Sequence, residues 1–328
     1  MALLSVQNLK THFFTSDGIV KAVDGVSFSL YRGDTLGIVG ESGCGKTMLA
    51  LSLLRLIPDP PGKIVDGKIF YQFKDGKEPA DLLTFSSKRI REVRGKNMAM
   101  IFQEPMTSLN PVLTIGNQIE EAIKLHLGGN KKELKARTIE ILRLVGISAP
   151  ETRLNDYPHQ FSGGMRQRVM IAMALSCHPE ILIADEPTTA LDVTIQAQIL
   201  DLIAGLQEKL GMAMILVTHD FGVVAEVTKQ VAVMYAGKIV EQGSTKDVFE
   251  NPRHPYTKGL LNSIISLRKG ELKEKLKTSP GTVPDLAHLP IGCSFQNRCP
   301  RVQDMCRLEE PKLEEKEPGK AVRCFFPE

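Results

Sequence analysis

One glycine-rich segment constrains the fold more than any other part of the chain. Gly40 to Thr47 reads GESGCGKT and fits the pattern G-x-x-x-x-G-K-[ST]. It follows a short apolar run, Thr35–Val39, and precedes a run of helical spacing that starts at Met48. A loop in this setting turns backbone N–H groups toward phosphate oxygens, and the helix N-terminus adds partial positive charge. The alternative is an ordinary glycine-rich turn between a strand and a helix.

From this segment we predict a nucleotide phosphate site. Lys46 is expected to reach the β- and γ-phosphates, and the Thr47 hydroxyl is expected to ligate Mg²⁺. The backbone N–H of Cys44 is expected to matter more than its thiol. The predicted phosphate-binding residues are Gly40, Ser42, Gly43, Cys44, Gly45, Lys46, Thr47 and Met48.

Composition limits the class of protein. The 328 residues are 42% hydrophobic, which is enough for a substantial core and excludes disorder for most of the chain. There is no run of eighteen apolar residues and the N-terminus does not resemble a secretory signal, so we expect no membrane span. A net charge of +3 and the absence of Trp argue against a nucleic-acid binder.

The pattern of apolar runs predicts an α/β core interrupted by helices. Buried strands are expected at Thr35–Val39, Met98–Phe102, Ile181–Ala184 and Ala213–Val217, and Ala236-Gly237 predicts a hairpin. Residues of about 104–175 are mainly helical in pattern, with helices expected within Ile119–Leu125, Lys131–Val145 and Met165–Leu175. One more helix is expected at Pro255–Leu267. A mixed-charge run follows at Arg268–Lys277, and from Pro280 the chain is rich in proline and irregular.

Two adjacent carboxylates end one of the predicted strands. Asp185 and Glu186 follow the apolar run Ile181–Ala184. On its own such a pair is common surface chemistry. Together with the phosphate loop it predicts that Asp185 holds Mg²⁺, through water, and that Glu186 orients or deprotonates an attacking water.

A second candidate anion site precedes these carboxylates. Ser162 is a suitable N-cap, and Gly163 and Gly164 allow a close approach of the backbone to a ligand. An ordinary capped helix is the alternative. One nucleotide does not need two such helix starts, whereas a dimer could close the second start of each subunit on the nucleotide held by its partner.

These motifs together resemble the ATP-binding subunit of an ABC transporter. The phosphate loop is similar to Walker A, the strand ending at Asp185 and Glu186 to Walker B, and Phe161–Met165 to the LSGGQ signature with different outer residues. The resemblance covers roughly residues 1–250. It implies a P-loop, RecA-like nucleotide-binding domain with an antiparallel β subdomain, a helical subdomain and a small irregular C-terminal extension. It also implies a boundary near residue 250, with 251–328 as the extension.

The resemblance assigns further roles. It implies that Gln103 senses Mg²⁺ and the membrane subunit, that His219 touches the γ-phosphate, and that Ala190 and Asp192 lie at a dimer contact. Lys46, Gln103, Glu186 and His219 are thereby the expected catalytic group. An aromatic residue near the start of the family's domain stacks on adenine. Phe13 is favoured over Phe14 for this role, with a core aromatic as the alternative.

The tail carries most of the cysteines and much of the proline. By chemistry alone these cysteines could ligate an iron–sulfur cluster or zinc, or could be buried or reactive thiols. The tail resembles that of oligopeptide and dipeptide permease ATPases, beginning at His254-Pro255-Tyr256-Thr257 and continuing at Pro280–Pro284. That resemblance implies a [4Fe–4S] cluster, with zinc as the alternative. The four cysteines are Cys293, Cys299, Cys306 and Cys324.

The resemblance implies ATP hydrolysis that powers import of dipeptides or oligopeptides. The expected partners are a second ATPase subunit, identical or paralogous, two integral membrane permease subunits, and an extracytoplasmic solute-binding protein acting through them. Nucleic acid is not an expected partner, and the chain is expected at the cytoplasmic face of the membrane. Alternatives are the ATPase of an importer for nickel or another small solute, or a soluble ABC-type ATPase of DNA repair or translation. A regulatory subunit that only binds nucleotide is disfavoured by Lys46, Glu186 and His219.

Overall fold

The structure is a computed structural model that describes residues 1–74, 76, 78–103, 108–189, 191–268 and 282–328. The chain divides into two compact units. The first combines Met1–Leu83 with Val217–Glu328, and the second is Thr84–Leu216. Across the described residues, none of the helices has the length and hydropathy that crossing a bilayer requires.

The strands alternate with helices along most of the chain. They are β1 (Leu4–Thr15), β2 (Gly18–Leu30), β3 (Thr35–Val39), β4 (Gly62–Tyr71), β5 (Ala80–Asp81), β6 (Met98–Ile101), β7 (Ile181–Asp185), β8 (Ala213–Thr218), β9 (Gln230–Tyr235), β10 (Lys238–Ser244), β11 (Glu314–Glu317) and β12 (Lys320–Val322).

The helices vary from one turn to five turns. They are α1 (Lys46–Leu53), α2 (Ser87–Val93), α3 (Ile115–Leu127), α4 (Lys131–Leu144), α5 (Pro150–Arg153), α6 (Gly163–Leu175), α7 (Val193–Leu210), α8 (Phe221–Val227), α9 (Thr245–Glu250), α10 (Pro255–Arg268) and α11 (Asp304–Leu308). Short 3-10 turns lie at Leu82–Thr84 and Pro158–Gln160.

The first unit holds two groups of strands. One is antiparallel, in the order β2-β1-β4-β5. The other runs β11-β12-β10-β9-β3, with β3 parallel to β9 so that Val39 lies opposite Val233. Strands β9 and β10 form the predicted hairpin, and its turn residues Ala236 and Gly237 have positive φ values of 47° and 78°. The antiparallel group and the buried parallel strand agree with the expected fold class.

The C-terminal residues pack into the core of this unit. Val39 and Val233 belong to one buried cluster with Tyr256 from α10 and with Phe295, and Cys293 and Cys299 pack against it. Strands β11 and β12 extend the sheet beyond β10, with Val322 opposite Glu241. The proline-rich sequence from Pro280 onward predicted an irregular segment, and these two strands correct that prediction. Strand β11 is a run of charged residues, EEKE, and lacks the apolar alternation that indicates a strand. The boundary at residue 250 stays a prediction.

The second unit joins parallel strands to a set of helices. Strand β6 lies parallel to β7, with Met98 opposite Ile181, and both strands are almost entirely buried. Helices α3 and α4 begin at the N-caps Thr114 and Asn130, whose side chains accept hydrogen bonds from N–H groups of the first turn. The helical pattern predicted for this region is therefore confirmed, with α3 longer at both ends than expected.

The loop between β3 and α1 closely approaches neighbouring backbone. Gly45 has a φ of 104°, and a Cβ atom there would lie 2.0 Å from the carbonyl oxygen of Ala22. The N–H of Gly237 donates to the carbonyl of Cys44 at 2.9 Å, so the β9–β10 hairpin also holds the loop. Gly43 has a φ of 79°, but a Cβ atom at that position would meet no described atom within 4 Å. Of these two glycines, Gly45 is required for steric reasons as well as for backbone conformation.

This difference predicts how two alanine variants will behave. Gly43→Ala should lower the free energy of unfolding by roughly 1–2 kcal/mol, the cost of a positive φ for an L-residue. Gly45→Ala carries the same cost plus the clash with Ala22, which should add about 1–3 kcal/mol. Denaturant unfolding of both variants and the wild type measures the difference. Equal stabilities for the two variants would contradict the packing described here.

Burial of His254 predicts a pH dependence of stability. The side chain is 2% exposed, its Nδ1 accepts the N–H of Tyr256 at 3.1 Å, and burial lowers its pKa to about 3. Because the unfolded chain binds this proton near pH 6.5, stability should be full above that pH and fall toward pH 3, by up to about 1.4 kcal/mol per pH unit.

The measurement is the free energy of unfolding between pH 7 and pH 4. His254→Asn should be less stable at pH 7 but show a flatter pH dependence than the wild type. His178→Asn is the control, because His178 is exposed, and it should keep the wild-type slope. Parallel slopes for the wild type and His254→Asn would refute the expectation.

Candidate functional site

The phosphate loop lies at the carboxyl end of a buried strand. Strand β3 is fully buried, and the chain turns through residues 40–45 into α1, whose N-cap is Gly45. The Lys46 ammonium donates to the carbonyls of Gly40 at 2.8 Å and Glu41 at 3.0 Å, and the residue is 5% exposed. The loop thus wraps around its own lysine and holds a buried positive charge where phosphate oxygens are expected.

The remaining loop residues differ in exposure. Ser42 and Gly43 are exposed, whereas Gly45, Thr47 and Met48 are half-buried. Cys44 is fully buried, and burial raises the pKa of its thiol. A buried, protonated thiol is a poor nucleophile, which agrees with the expectation that Cys44 contributes its backbone rather than its sulfur.

Glu186 lies at the end of β7 in an unusual backbone conformation. Its φ is 44°, a left-handed value that is uncommon for a residue other than glycine. The amide Nε2 of Gln103 donates to Glu186 Oε2 at 2.9 Å, and the Thr189 hydroxyl donates to the same oxygen at 3.2 Å. The structure therefore brings together the predicted base and the predicted glutamine, and it adds Thr189 as an orienting donor.

Asp185 and Thr47 have the chemistry of Mg²⁺ ligands. Asp185 ends β7 at 1% exposure, and Thr47 is in the first turn of α1. Mg²⁺ prefers hard oxygen ligands such as a carboxylate and a hydroxyl, directly or through water. Because buried charge is costly, a carboxylate in such a position requires polar partners, and the expected role of Asp185 in holding Mg²⁺ stays a prediction.

The signature glycines pack against the segment that follows Glu186. Ser162 caps α6 by accepting the N–H of Met165 at 3.3 Å. A Cβ at Gly164 would lie 2.9 Å from the side chain of Ile195, and one at Gly163 would lie 3.6 Å from that of Leu191. In the same unit Gln167 donates to the carbonyl of Pro187. The helix start is thus tied to the turn that carries the carboxylates, and side chains larger than hydrogen are disfavoured at Gly164.

Two further motif residues lie at helix starts. Asp192 caps α7 by accepting the N–H of Ile195 at 3.0 Å, while Ala190 lies outside the described residues. His219 is exposed and lies between Thr218, at the end of β8, and Asp220, which caps α8. The dimer contact and the γ-phosphate contact expected of these residues stay predictions.

The two candidate adenine-stacking residues are adjacent in β1. Phe13 is half-buried, and its ring edge packs closely over Gly62, where a Cβ would be 2.7 Å from the ring. Phe14 is 51% exposed. The choice of Phe13 stays a prediction.

The cysteine cluster expected in the tail is contradicted. Cys293, Cys299, Cys306 and Cys324 do converge on one cavity, but its volume is only about 20 Å³, room for about one water molecule. Over the described ranges, no group of three or more His, Cys, Asp or Glu side chains is arranged to hold a metal ion. Burial raises the pKa of Cys293 to about 11, and the pKa values of Cys299 and Cys324 are raised for the same reason. Neither the [4Fe–4S] cluster nor zinc is supported, and the thiols pack as part of the core.

Sequence reasoning missed the side chains that support the phosphate loop from outside. These are Tyr256 and Arg298, both of which bond to Glu41. A separation of 257 residues between Glu41 and Arg298 leaves no local signal. The one available hint was a carboxylate inside a loop that is expected to bind anions, since such a charge requires a nearby cation.

Comparison with family models matches two parts of the chain. Residues 23–189 match the model described as ABC transporter. Residues 240–306 match the model described as oligopeptide/dipeptide transporter, C-terminal region. The second match starts in β10 and extends to α11, so it covers the segment that packs into the core of the first unit.

Full-length relatives carry both parts. The oligopeptide transport ATP-binding protein AppD of Bacillus subtilis is 50% identical, over 99% of this chain and 96% of its own. The dipeptide transport ATP-binding protein DppD of Haemophilus influenzae is 51% identical, over 100% and 96%. A probable peptide ABC transporter ATP-binding protein of Sinorhizobium fredii is 52% identical, over 98% and 94%.

Solved structures share the fold. The ATP-binding cassette MJ0796, a dimer in a post-hydrolysis state with ADP and phosphate, is 25% identical with a TM-score of 0.64, over 74% of this chain and 98% of that one. The cbiO1 protein of Clostridium perfringens, part of an ABC transporter complex, is 26% identical with a TM-score of 0.64, over 84% and 99%. The chain therefore belongs to the ABC transporter family, in the branch of oligopeptide and dipeptide transport ATP-binding proteins.

Proposed function

We propose that this chain is the ATP-hydrolysing subunit that powers import of dipeptides or oligopeptides across the cytoplasmic membrane. The observation that carries the proposal is identity of about 50% along the whole chain to proteins named as dipeptide and oligopeptide transport ATP-binding proteins. The match includes the C-terminal region that is described for this kind of transporter. Family membership implies use of ATP with Mg²⁺, dimerisation, and association with membrane permease subunits.

The residues of the proposed site have different roles in phosphoryl transfer. Lys46 and the backbone N–H groups of the loop bind the phosphates and stabilise charge on the transferred group. Glu186 orients the attacking water and accepts its proton, and Gln103 and Thr189 hold the Glu186 carboxylate in place. Mg²⁺, bound at Thr47 and Asp185, would neutralise phosphate charge when present. His219 contacts the γ-phosphate, and Phe13 stacks on adenine.

Hydrolysis acts on the membrane through partners. The Ser162–Gly164 helix start closes on the nucleotide held by the other ATPase subunit, so two nucleotides lie between two subunits. The helical segment of about 104–175 transmits opening of the dimer to two permease subunits. In this proposal the chain lies at the cytoplasmic face, and a solute-binding protein delivers peptide on the opposite face of the membrane.

Replacing the proposed base should separate hydrolysis from binding. Glu186→Gln should lower the rate of phosphate release by about 100-fold or more, because proton acceptance is lost, with the Kd for Mg-ATP kept within about threefold. The rate is measured in membranes that carry the complete transporter. Glu208→Gln, an exposed position on α7, is the control and should hydrolyse normally. Hydrolysis by Glu186→Gln at the wild-type rate would rule out this assignment.

Cells that lack the chain should lose uptake of labelled dipeptides. The wild-type chain should restore uptake, and Lys46→Ala should not, because the phosphate loop would lose its cation. Lys132→Ala, at an exposed position in the first turn of α4, is the matched control and should restore uptake. Normal peptide uptake in the deleted strain, with loss of Ni²⁺ uptake instead, would favour the small-solute alternative.

A further inference from the structure

Glu41, in the phosphate loop, forms hydrogen bonds through its backbone N–H, its carbonyl and its carboxylate. Its carbonyl accepts from Lys46 Nζ at 3.0 Å, and its backbone N–H donates to the Tyr256 hydroxyl at 2.9 Å. Its carboxylate accepts two hydrogen bonds from Arg298, from Nη1 at 2.6 Å and from Nη2 at 2.9 Å. One residue therefore links the lysine of the loop to two side chains of the C-terminal region.

Arg298 is held firmly on its other side. Its side chain is 6% exposed, and the guanidinium lies 5.7 Å from the ring centre of Tyr235 and 5.8 Å from that of Phe295. The pKa of Arg298 is raised, chiefly by its hydrogen bond to Glu41 and also by one to Tyr235. A bidentate pair with a planar guanidinium fixes orientation as well as distance.

Tyr256 is anchored in the same aromatic cluster. It is fully buried, with its ring centre 4.7 Å from that of Tyr235 and 5.5 Å from that of Phe295. Burial raises the pKa of its hydroxyl, so the group stays neutral and can accept the Glu41 N–H. The two side chains that bond to Glu41 thus pack against the same aromatic rings, those of Tyr235 and Phe295.

The negative charge of Glu41 makes its pairing with Arg298 important for the binding of anions. Its carboxylate belongs to the loop that is expected to hold phosphates, so an unpaired negative charge here would repel the ligand. Arg298 pairs with that carboxylate through two hydrogen bonds and so neutralises its charge. The carbonyl that Glu41 presents to Lys46 is fixed by the same contacts.

We propose that Arg298 and Tyr256 are positioning residues of the phosphate loop, so that the C-terminal region sets its affinity for ATP. The proposal rests on the proposed role of the Lys46 loop in ATP binding. Neither side chain needs to touch the nucleotide, because both act through Glu41. The C-terminal region is then part of the nucleotide site and not only an accessory to it.

The test measures the Kd for Mg-ATP in the full-length chain. Arg298→Met keeps an apolar stem on the aromatic rings and removes both donors, and it should raise Kd about tenfold, as expected for loss of a charge-assisted bond. Adding Glu41→Gln removes the unpaired carboxylate, and the double variant should return to within about threefold of the wild type. Tyr256→Phe should raise Kd about threefold.

The control separates positioning from loss of stability. Arg323 is another largely buried arginine of this region, and it donates to the carbonyls of Ile239 and Pro311. Arg323→Met should lower the melting temperature comparably but leave Kd within twofold. Kd for Arg298→Met within twofold of the wild type, or a double variant as weak as the single, would overturn the proposal.

One further variant, Lys46→Ala, and the variant Tyr256→Phe keep the result decisive. Lys46→Ala should abolish binding. If it does not, the proposed site fails, whereas loss of binding in Lys46→Ala with an unchanged Kd in Arg298→Met refutes only the positioning role. If Arg298→Met does not fold, Tyr256→Phe decides: a rise in Kd supports the proposal and an unchanged Kd overturns it.

Discussion

The contact of Gly45 with the carbonyl oxygen of Ala22 determines the path of the phosphate loop. Because residue 45 has no side chain, the loop can pack directly on the backbone of β2 and of the β9–β10 hairpin before α1 begins. That path buries Lys46 beneath two of the loop's own carbonyls and leaves Glu41 facing the C-terminal region. The loop is then supported by a buried cluster that includes residues of β3 and β9 and the aromatic residues Tyr235, Tyr256 and Phe295.

A second constraint acts in the other unit, around Glu186. Its positive φ places the carboxylate where Gln103 and Thr189 reach the same oxygen. Strained backbone at such a position is maintained only when surrounding contacts require it. Here the capped helices α6 and α7 provide those contacts, with Gly164 packed on Ile195 and Gln167 bonded to the turn after Glu186. Helix capping, a local property, thereby supports the backbone conformation of Glu186, the proposed base.

Local patterns predicted much of this arrangement. Strand β3 has the bounds that the apolar run Thr35–Val39 indicated, and the β9–β10 hairpin follows from its Ala-Gly turn. Strand β4, whose residues alternate weakly and include two glycines and several charges, was not predicted. Strand β12 pairs with β10 and β11 pairs with β12, and the bond between Arg298 and Glu41 also joins residues that are far apart in the chain. The cysteines show the same limit, because spacing reveals four thiols but not the small volume between them.

The aromatic cluster behind the phosphate loop has a consequence for evolution and engineering. Tyr235, Tyr256, Phe295 and Arg298 come from three separate stretches of the chain and pack together, and two of them, Tyr256 and Arg298, bond to Glu41. A hybrid protein that took residues 251–328 from a relative would also take that relative's residue at position 298, which is the partner of position 41. Hybrids of two relatives are therefore expected to bind ATP normally when positions 41 and 298 come from the same parent, even though these positions lie near opposite ends of the sequence.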